Sequence, residues 1–254
     1  MPVESGESED AVLGGRLTIR QPMRGHRVGH DAILLAAATA ARPGDHAVDL
    51  GAGVGGAGLA LARRIAGITV TLVDIDPELT ALASRNVELN NLSDRVRAVR
   101  LDVAGTAADF AAAGMAPGSA ACVLMNPPFN VAQQSSPDPG RRAAHAASPD
   151  TLPLWLAAAA RLLAGGGALT LIWRADGLGQ VLAALAGKFG AIAVLPVHPK
   201  PGAAAIRVLV RAVKDSGAPL SLLPGITLVH ADGGPSAEAE AVLRDAAPLS
   251  LSAT

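Results

Sequence analysis

Short apolar runs alternate with longer stretches of mixed polarity along most of the chain. Runs such as 46–50 and 69–76 have the length and character of buried strands. The stretch that begins at Pro77 predicts a helix, because proline suits the first helical turn. Repeated strand–helix units predict an α/β fold, a parallel sheet with helices on both faces. We expect seven strands, and the short link between 191–197 and 204–212 predicts that the last one is antiparallel.

The chain divides into a flexible end and one folded domain. Residues 1–11 contain four acidic residues and no apolar pattern, which predicts a flexible acidic tail. We expect 12–254 to form a single domain whose core sheet and helices occupy 46–213. Within that domain, 12–45 would form an N-terminal cover for the ligand site, and 214–254 would form a C-terminal extension.

Composition excludes several classes of protein. Half of the 254 residues are hydrophobic and the formal net charge is −1, so the chain is neither disordered nor strongly basic. The single cysteine, Cys122, excludes an internal disulfide and a cysteine-built zinc site, and the six histidines are dispersed. No apolar run approaches the ~18 residues of a membrane span, and the acidic N-terminus is the reverse of a secretory signal. We therefore expect a soluble, cytoplasmic protein that uses no metal.

A glycine-rich turn separates the first core strand from the helix that follows it. The segment 49–58 reads DLGAGVGGAG, and Gly51, Gly53 and Gly56 satisfy the pattern G-x-G-x-x-G. Glycines in such a turn allow a ligand to approach the backbone closely. The pattern is weak by itself in a chain with 28 glycines, because a tight structural turn would also produce it.

Three aspartates lie at the ends of three successive strands. Asp49 precedes the first glycine, Asp74 ends the next strand, and Asp102 ends the third. The carboxyl ends of parallel strands form the usual ligand-binding edge of such a sheet. A carboxylate at Asp74 can accept hydrogen bonds from both ribose hydroxyls of a nucleoside, and one at Asp102 could reach an adenine amino group. Two cofactors, NAD and S-adenosylmethionine, fit this arrangement.

The sequence NPPF occupies 126–129, directly after the fourth strand. Pro127 and Pro128 fix φ and stiffen the turn. The Asn126 amide oxygen and the Pro127 carbonyl oxygen can accept both hydrogens of a planar amino group, and Phe129 can stack on the attached ring. Such an amine is a poor nucleophile because its lone pair is delocalised. Two acceptors favour the pyramidal form that attacks a sulfonium methyl group in line, so the motif favours S-adenosylmethionine over NAD.

This combination of glycine turn and NPPF resembles the class I, S-adenosylmethionine-dependent amino-methyltransferases. The resemblance covers roughly 12–213. It implies a Rossmann-like fold with an antiparallel last strand, S-adenosylmethionine as the cofactor and a catalytic turn at 126–129. Enzymes with this motif methylate adenine or guanine amines of nucleic acids, or glutamine amides of release factors.

The segment 21–38 is similar to the corresponding segment of bacterial tRNA adenine-N6 methyltransferases. In that family it lies against the methionine end of the cofactor, with an aspartate that opens an apolar helix. The resemblance implies that Arg27 and Asp31 take part in cofactor binding, and it makes adenine N6 in tRNA the expected target. The chain departs from the family at His26 and Asn130, where aromatic residues are usual or frequent.

Positive charge is clustered along the chain, as binding of a nucleic acid requires. One arginine cluster precedes the glycine turn, another basic cluster follows NPPF, and a third lies within 200–214. From the first two clusters, Arg24, Arg141 and Arg142 are candidates for contacts with RNA phosphates. No aromatic residues are interleaved with these charges, which favours a structured RNA with one inserted base over an extended single strand.

Four alternatives to adenine-N6 methylation of tRNA stay open. Guanine-N2 methylation of RNA and methylation of a protein glutamine amide would use the same turn at 126–129. An NAD-dependent oxidoreductase would account for the glycines and Asp74 but leaves NPPF unexplained. A non-catalytic RNA-binding protein with this fold would have no need for Asp49, Asn126 and Phe129 together.

Overall fold

A mostly parallel sheet forms the centre of the computed structural model, which describes residues 6–23, 27–128 and 150–251. Nine of the described strands belong to this sheet, and two others form an N-terminal hairpin. In chain order the strands are β1 (Glu7–Val12), β2 (Leu17–Pro22), β3 (His46–Leu50), β4 (Thr69–Asp74), β5 (Val96–Arg100), β6 (Ala120–Met125), β7 (Leu163–Arg174), β8 (Phe189–His198), β9 (Arg207–Lys214), β10 (Ser221–Leu222) and β11 (Ile226–Thr227).

The described residues also form seven α-helices, which cover both faces of the sheet. They are α1 (His30–Ala38), α2 (Gly56–Arg64), α3 (Pro77–Leu89), α4 (Ala107–Ala112), α5 (Thr151–Leu162), α6 (Leu178–Leu185) and α7 (Ala237–Leu243). In this part of the chain, no helix has the length and apolar character needed to cross a membrane.

The strand order across the sheet is β10–β8–β9–β7–β6–β3–β4–β5, and β11 also pairs with β8. Strand β9 is antiparallel to both of its neighbours, β7 and β8, whereas the central strands are parallel. The predicted seven-stranded core with an antiparallel last strand is therefore confirmed. The short strands β10 and β11 extend it, because the chain after β9 returns along β8.

Two buried clusters of side chains hold the helices on the sheet. One cluster includes Leu35 of α1, Leu61 of α2 and Val242 of α7, and it covers one face. The other includes Phe110 of α4 and Leu156 of α5, and it covers the opposite face. Burial of each such side chain contributes about 1.5–3 kcal/mol. The predicted sandwich of helices around a sheet follows from these two clusters.

Strand β1 of the hairpin includes residues 7–11, which the sequence pattern assigned to a flexible tail. Alternate residues along β1 are exposed, as in a strand with one covered face. Its acidic side chains pair with arginines: Glu7 lies 2.9 Å from Arg85, and Glu9 lies 2.7 Å from Arg20. These pairs are not apparent from the sequence, because Arg85 is 78 positions from Glu7 and Arg20 is 11 positions from Glu9.

Two buried asparagines, Asn86 of α3 and Asn90 at its C-cap, attach the hairpin to the rest of the domain. Asn86 accepts the Arg20 N–H at 2.8 Å, and its Nδ2 donates to the Arg20 and Val54 carbonyls, both at 2.9 Å. Asn90 accepts the Thr18 N–H at 3.0 Å and donates to the Thr18 carbonyl at 2.7 Å. Because Val54 lies in the glycine turn between β3 and α2, the Asn86 amide joins the hairpin to that turn.

Replacing Asn86 with alanine should lower the free energy of unfolding by about 2 kcal/mol or more, because backbone groups of Arg20 and Val54 lose their partners. Urea denaturation of both proteins measures this difference. The matched control is Glu88→Ala, an exposed position on the same helix, which should change the free energy by less than about 0.5 kcal/mol. Equal effects of the two substitutions would contradict the role given to Asn86.

Candidate functional site

The described residues that the sequence assigned to the site meet at one edge of the sheet. Strand β3 pairs in parallel with β4 and with β6, and β4 pairs in parallel with β5. Leu50, at the end of β3, lies opposite Val73 of β4 and Met125 of β6. The glycine turn, Asp74 and Asn126 therefore follow neighbouring strand ends, as predicted.

The glycine turn is packed against protein at one glycine and open at another. Gly51 has a φ of +69°, and a Cβ there would lie 2.1 Å from the Trp155 ring. Gly53 has a φ of +56°, but a Cβ there would meet nothing within 4 Å. A ligand can therefore approach the backbone at Gly53.

Asp74 is anchored by the backbone of two turns. Its Oδ2 accepts the Gly53 N–H at 2.7 Å, and its Oδ1 accepts the Asp76 N–H at 2.9 Å. Asp76 in turn caps α3 by accepting the N–H groups of Glu78 and Leu79 at 2.8 and 3.2 Å. A carboxylate has about four lone-pair sites, so these two bonds are compatible with the ribose hydroxyls expected at Asp74.

Asp49 is buried on β3, where its Oδ2 accepts the Gly58 N–H of α2 at 2.8 Å. Burial raises the pKa of this carboxyl from 3.8 to about 7, opposed by the Gly58 hydrogen bond and assisted by the negative charge of Asp74. A Cβ on Gly58 would lie 2.2 Å from Leu72, so glycine allows α2 to lie this close to the sheet. Asp49 thus holds the first turn of α2 beside the glycine turn.

Asp102, predicted to end the third strand, lies two residues after the end of β5, and its side chain is exposed. Its Oδ1 accepts the Ala104 N–H at 2.8 Å, and the preceding Leu101 N–H donates to the Asp74 carbonyl at 2.9 Å. The three aspartates therefore lie at the ends of three separate strands: Asp49 on β3, Asp74 on β4 and Asp102 after β5. Within the described ranges, no three histidine, cysteine or acidic side chains are grouped as a metal site would require.

A cavity of about 230 Å³ opens between the start of α1 and the end of β6. The Asn126 side-chain oxygen is buried, and no described residue donates a hydrogen bond to it. An acceptor left in this state costs about 1–3 kcal/mol, so the site suits a ligand that brings a donor. The sequence predicts that this same oxygen accepts a hydrogen bond from the substrate amine. The residues that line the cavity are Arg27, Gly29, His30, Asp31, Ala32 and Asn126.

Arg27 lines the cavity and is held by the N-terminal hairpin. Its Nη2 donates to Asp10 Oδ2 at 2.6 Å and to Ser8 Oγ at 3.0 Å. Gln21 donates to the same Asp10 oxygen at 2.8 Å and accepts the Val28 N–H at 2.8 Å. Hydrogen bonds from Gln21 and Ser8, together with the Arg27 charge, lower the pKa of Asp10. The first strand therefore orients a residue that the sequence assigned to the cofactor.

Asp31 also lines the cavity, and it pairs with an arginine from the far end of the chain. Its Oδ2 accepts from Arg207 Nε at 2.9 Å, which joins α1 to the start of β9. Both side chains are more than two-thirds buried. The Asp31 carboxylate is thus fixed at the cavity wall with its charge balanced by Arg207.

Several arginines of the first and third basic clusters are paired with carboxylates within the fold. A nearby carboxylate offsets the attraction of a cation for phosphate, so these side chains are weaker candidates than their sequence clusters suggested. Lys214 donates to the Leu163 carbonyl at 2.7 Å, so the cluster within 200–214 is not one continuous basic face. The paired arginines are Arg16 with Asp245, Arg20 with Glu9, Arg27 with Asp10, and Arg207 with Asp31.

Some expected site residues lie outside the described residues. Pro127 and Pro128 are described and directly follow Asn126, but Phe129 is not. The roles of the outlying residues therefore stay predictions. Besides Phe129 they are the RNA candidates Arg24, Arg141 and Arg142, and the two departures from the family pattern, His26 and Asn130.

Sequence reasoning missed three residues that shape the site. Asp10 orients Arg27, Asn86 holds the glycine turn, and Trp155 covers Gly51. Nothing in the sequence marked Asp10, because its acidic segment has the character of a tail. Trp155 did carry a signal, because a chain with two tryptophans and no tyrosine has few aromatic side chains to place at a site.

The chain matches the family model described as methyltransferase small domain over residues 26–199. It is similar to the tRNA1(Val) (adenine(37)-N6)-methyltransferase of Tolumonas auensis, with 32% identity over 162 residues that make up 63% of this chain and 64% of the relative. The protein of the same name from Porphyromonas gingivalis is 30% identical over 169 residues, 64% of each chain. The matched region thus spans 64% of the length of both curated relatives.

Solved structures with the same fold include two from bacteria. A crystal structure of a predicted O-methyltransferase from Agrobacterium tumefaciens has a TM-score of 0.74 and 28% identity, covering 87% of this chain and 98% of that one. The crystal structure of TrmN from Thermus thermophilus has a TM-score of 0.50 and 21% identity, covering 73% and 47%. The Rossmann-like methyltransferase fold expected from the sequence is confirmed.

The raised pKa of Asp49 predicts how stability depends on pH. The unfolded carboxyl releases its proton near pH 3.8, whereas the folded carboxyl retains it until about pH 7. The folded state therefore binds more protons between these values, so the free energy of unfolding should fall as pH rises, by up to about 1.4 kcal/mol per pH unit. Asp49→Asn, which has no such proton, should lack this component.

Denaturant unfolding of the wild type and of Asp49→Asn at pH values from about 5 to 8 separates this effect from other titrating groups. The stability difference should shift in favour of the variant as pH rises and level off about one pH unit above the Asp49 pKa of about 7. A difference that does not change with pH would show that Asp49 titrates normally.

Proposed function

Because the chain belongs to the methyltransferase small-domain family, we propose that it transfers a methyl group from S-adenosylmethionine to an exocyclic amino group of RNA. The curated relatives are named for adenine 37 of tRNA1(Val), so N6 of that adenine is the first candidate target. A tRNA substrate would place the reaction in the cytoplasm.

The unpartnered oxygen of Asn126 is the observation that supports this proposal most directly. It is buried at the end of β6, in the wall of the cavity. Because Leu50 pairs with Met125, Asn126 lies beside Gly51, the first residue of the glycine turn. An acceptor for an amine therefore lies next to the glycine turn, whose backbone is open at Gly53, as amine methylation requires.

The residues of the turn and of the two strands beside it fit S-adenosylmethionine. Gly53 leaves open space at the backbone, and the anchored carboxylate of Asp74 can accept ribose hydroxyls. Asp102 presents an exposed carboxylate beyond β5, where adenine would lie. At the other end, Arg27 and Asp31 line the cavity and suit the charged amino-acid portion. When bound, this cofactor supplies an electrophilic methyl group on a sulfonium.

The chemistry that this chain must provide is the orientation and activation of a weak nucleophile. The lone pair of an exocyclic amine is delocalised into its ring. Asn126 Oδ1 and the Pro127 carbonyl would accept the two amine hydrogens and favour the pyramidal form as the new C–N bond develops. Pro127 and Pro128 restrict the backbone at this turn, so the acceptors need little reorganisation. The surplus proton of the product amine leaves to water, and no residue is required as a strong base.

RNA contacts are proposed for Arg24, Arg141 and Arg142, and base stacking is proposed for Phe129. Support for these assignments comes from the sequence, in which the first two clusters flank the cofactor segment and the catalytic turn. Guanine-N2 methylation and glutamine-amide methylation would use the same pair of acceptors. The choice among the three substrates therefore has to be made by identifying the product.

The proposal is tested with unmodified tRNA1(Val) transcript, S-adenosylmethionine and the purified chain, followed by mass spectrometry of the nucleosides. We expect N6-methyladenosine at position 37 and no product on the same transcript with guanine at 37. Formation of N2-methylguanosine would identify the guanine alternative. Methylation of a release-factor glutamine peptide without any RNA product would contradict an RNA substrate.

Substitution of Asn126 tests the mechanism. Asn126→Ala should reduce kcat on the transcript by ~100-fold or more, because it removes an interaction that strengthens in the transition state. The affinities for RNA and S-adenosylhomocysteine should change by less than about twofold. Single-turnover kinetics at saturating RNA, with calorimetry for the affinities, separate these quantities.

Asn91→Gly is the matched control, because it removes an exposed amide at the opposite edge of the sheet, where φ is +53° and glycine fits. Its kcat should equal that of the wild type. If Asn126→Ala reacts as fast as this control at saturating RNA, the turn is structural and the mechanism is wrong.

A further inference from the structure

Trp155 lies at the same sheet edge, although it belongs to none of the sequence motifs. It lies on the second turn of α5, and its side chain is half-buried. A Cβ built on Gly51 would lie 2.1 Å from Trp155 Cη2 and 2.7 Å from Cζ3. The six-membered ring of the indole therefore rests against the α-carbon of Gly51, and only a glycine at this position leaves room for it.

The chain has very few aromatic side chains, and most of them are used in the core. Its three phenylalanines and two tryptophans include Phe110, Phe189 and Trp173, each at most 7% exposed. Phe129 lies outside the described residues. Among the aromatic residues that the structure does describe, Trp155 alone is not buried. A half-buried indole at the ligand edge is therefore unlike the other described aromatic positions of the fold.

The order of strands shows which end of the site Trp155 occupies. Across the sheet, the four strands that form the site lie in the order β6, β3, β4 and β5. At their carboxyl ends they carry, in the same order, Asn126, Gly51, Asp74 and the segment that leads to Asp102. Asp74 and Asp102 mark the nucleoside end of the cofactor. Trp155 touches Gly51, one strand away from Asn126, and therefore lies toward the end at which the methyl group is transferred.

Trp155 and the cavity approach this edge from opposite faces of the sheet. The cavity is lined by the first turn of α1, which belongs to one buried cluster, whereas Trp155 packs against the cluster on the other face. A planar group with its amine on Asn126 would thus have α1 on one side and an indole on the other. Stacking on an aromatic side chain is how proteins commonly hold an unstacked base.

We propose that Trp155 is a substrate-positioning residue that forms an aromatic wall for the planar group carrying the amine. The inference rests on the proposed function, because it names a second contact for the same substrate. Trp155 takes no proton and makes no bond. It limits the tilt of the ring, so that the amine nitrogen faces the methyl group while Asn126 holds the amine hydrogens.

Kinetics of Trp155→Ala, Trp155→Phe and Leu154→Ala on the tRNA1(Val) transcript test this role. Trp155→Ala should lower kcat/KM for RNA by ~10-fold or more, within the range for loss of one base–aromatic stack. Trp155→Phe should restore most of that loss, and the affinity for S-adenosylhomocysteine should stay within about twofold of wild type in both. Leu154→Ala alters the adjacent exposed side chain and should behave like the wild type.

Tryptophan fluorescence provides a readout that a purely structural role would not change. The chain has no tyrosine, and Trp173 is its second tryptophan. Because Trp173 is present in both proteins, the difference between the wild-type and Trp155→Phe spectra isolates the emission of Trp155. Adding the transcript in the presence of S-adenosylhomocysteine should quench this emission. An identical RNA that lacks the base at position 37 should bind without quenching it.

Each of the other outcomes overturns the inference. A kcat/KM for Trp155→Ala equal to that of Leu154→Ala, on an active wild type, would refute the aromatic wall and leave the proposed function intact. If Trp155→Ala weakens the binding of S-adenosylhomocysteine, and the RNAs with and without the base at position 37 have the same effect on Trp155 emission, then Trp155 contacts the cofactor instead. A folded wild type that methylates no RNA would overturn the proposed function and this inference together.

Discussion

The site depends on the parallel pairing of β3 between β4 and β6. Because these strands run in the same direction and in register, the glycine turn, Asp74 and Asn126 emerge at one edge, about 4.8 Å apart from strand to strand. A slip of one residue in β3 would turn Asp49 out of its buried position and away from Gly58. The apolar clusters on both faces fix that register, so the chemistry of the edge is a consequence of core packing.

The charges around the cavity are balanced within the protein. Arg27 is paired with Asp10, and Asp31 is paired with Arg207, so each wall carries a cation and an anion together. The buried acceptor at Asn126 is uncharged. The uncharged Asn126 oxygen suits a neutral donor, such as an exocyclic amine or an amide, as the group that it holds. This agrees with the substrate class that the NPPF turn indicates.

Sequence reasoning could predict the parts of the site that depend on local order along the chain. The strand ends, the glycine turn and the aspartates at 49, 74 and 102 all follow from the strand–helix pattern. It could not predict that Asp10 orients Arg27, because that contact requires β1 to fold onto β2. The closeness of Trp155 to Gly51 likewise depends on how α5 packs, which hydrophobic periodicity does not specify.

Hydrogen–deuterium exchange of the wild-type chain with and without S-adenosylhomocysteine tests whether the cofactor binds at this edge of the sheet. We expect slower exchange in peptides that cover 51–55, 74–77 and 102–105, because these segments follow adjacent strand ends. Peptides at the opposite edge, such as those that cover 93–95 and 117–119, should exchange at unchanged rates. Protection confined to the opposite edge, or no protection in 51–55 at saturating ligand, would contradict a cofactor site at the carboxyl ends of β3, β4 and β5.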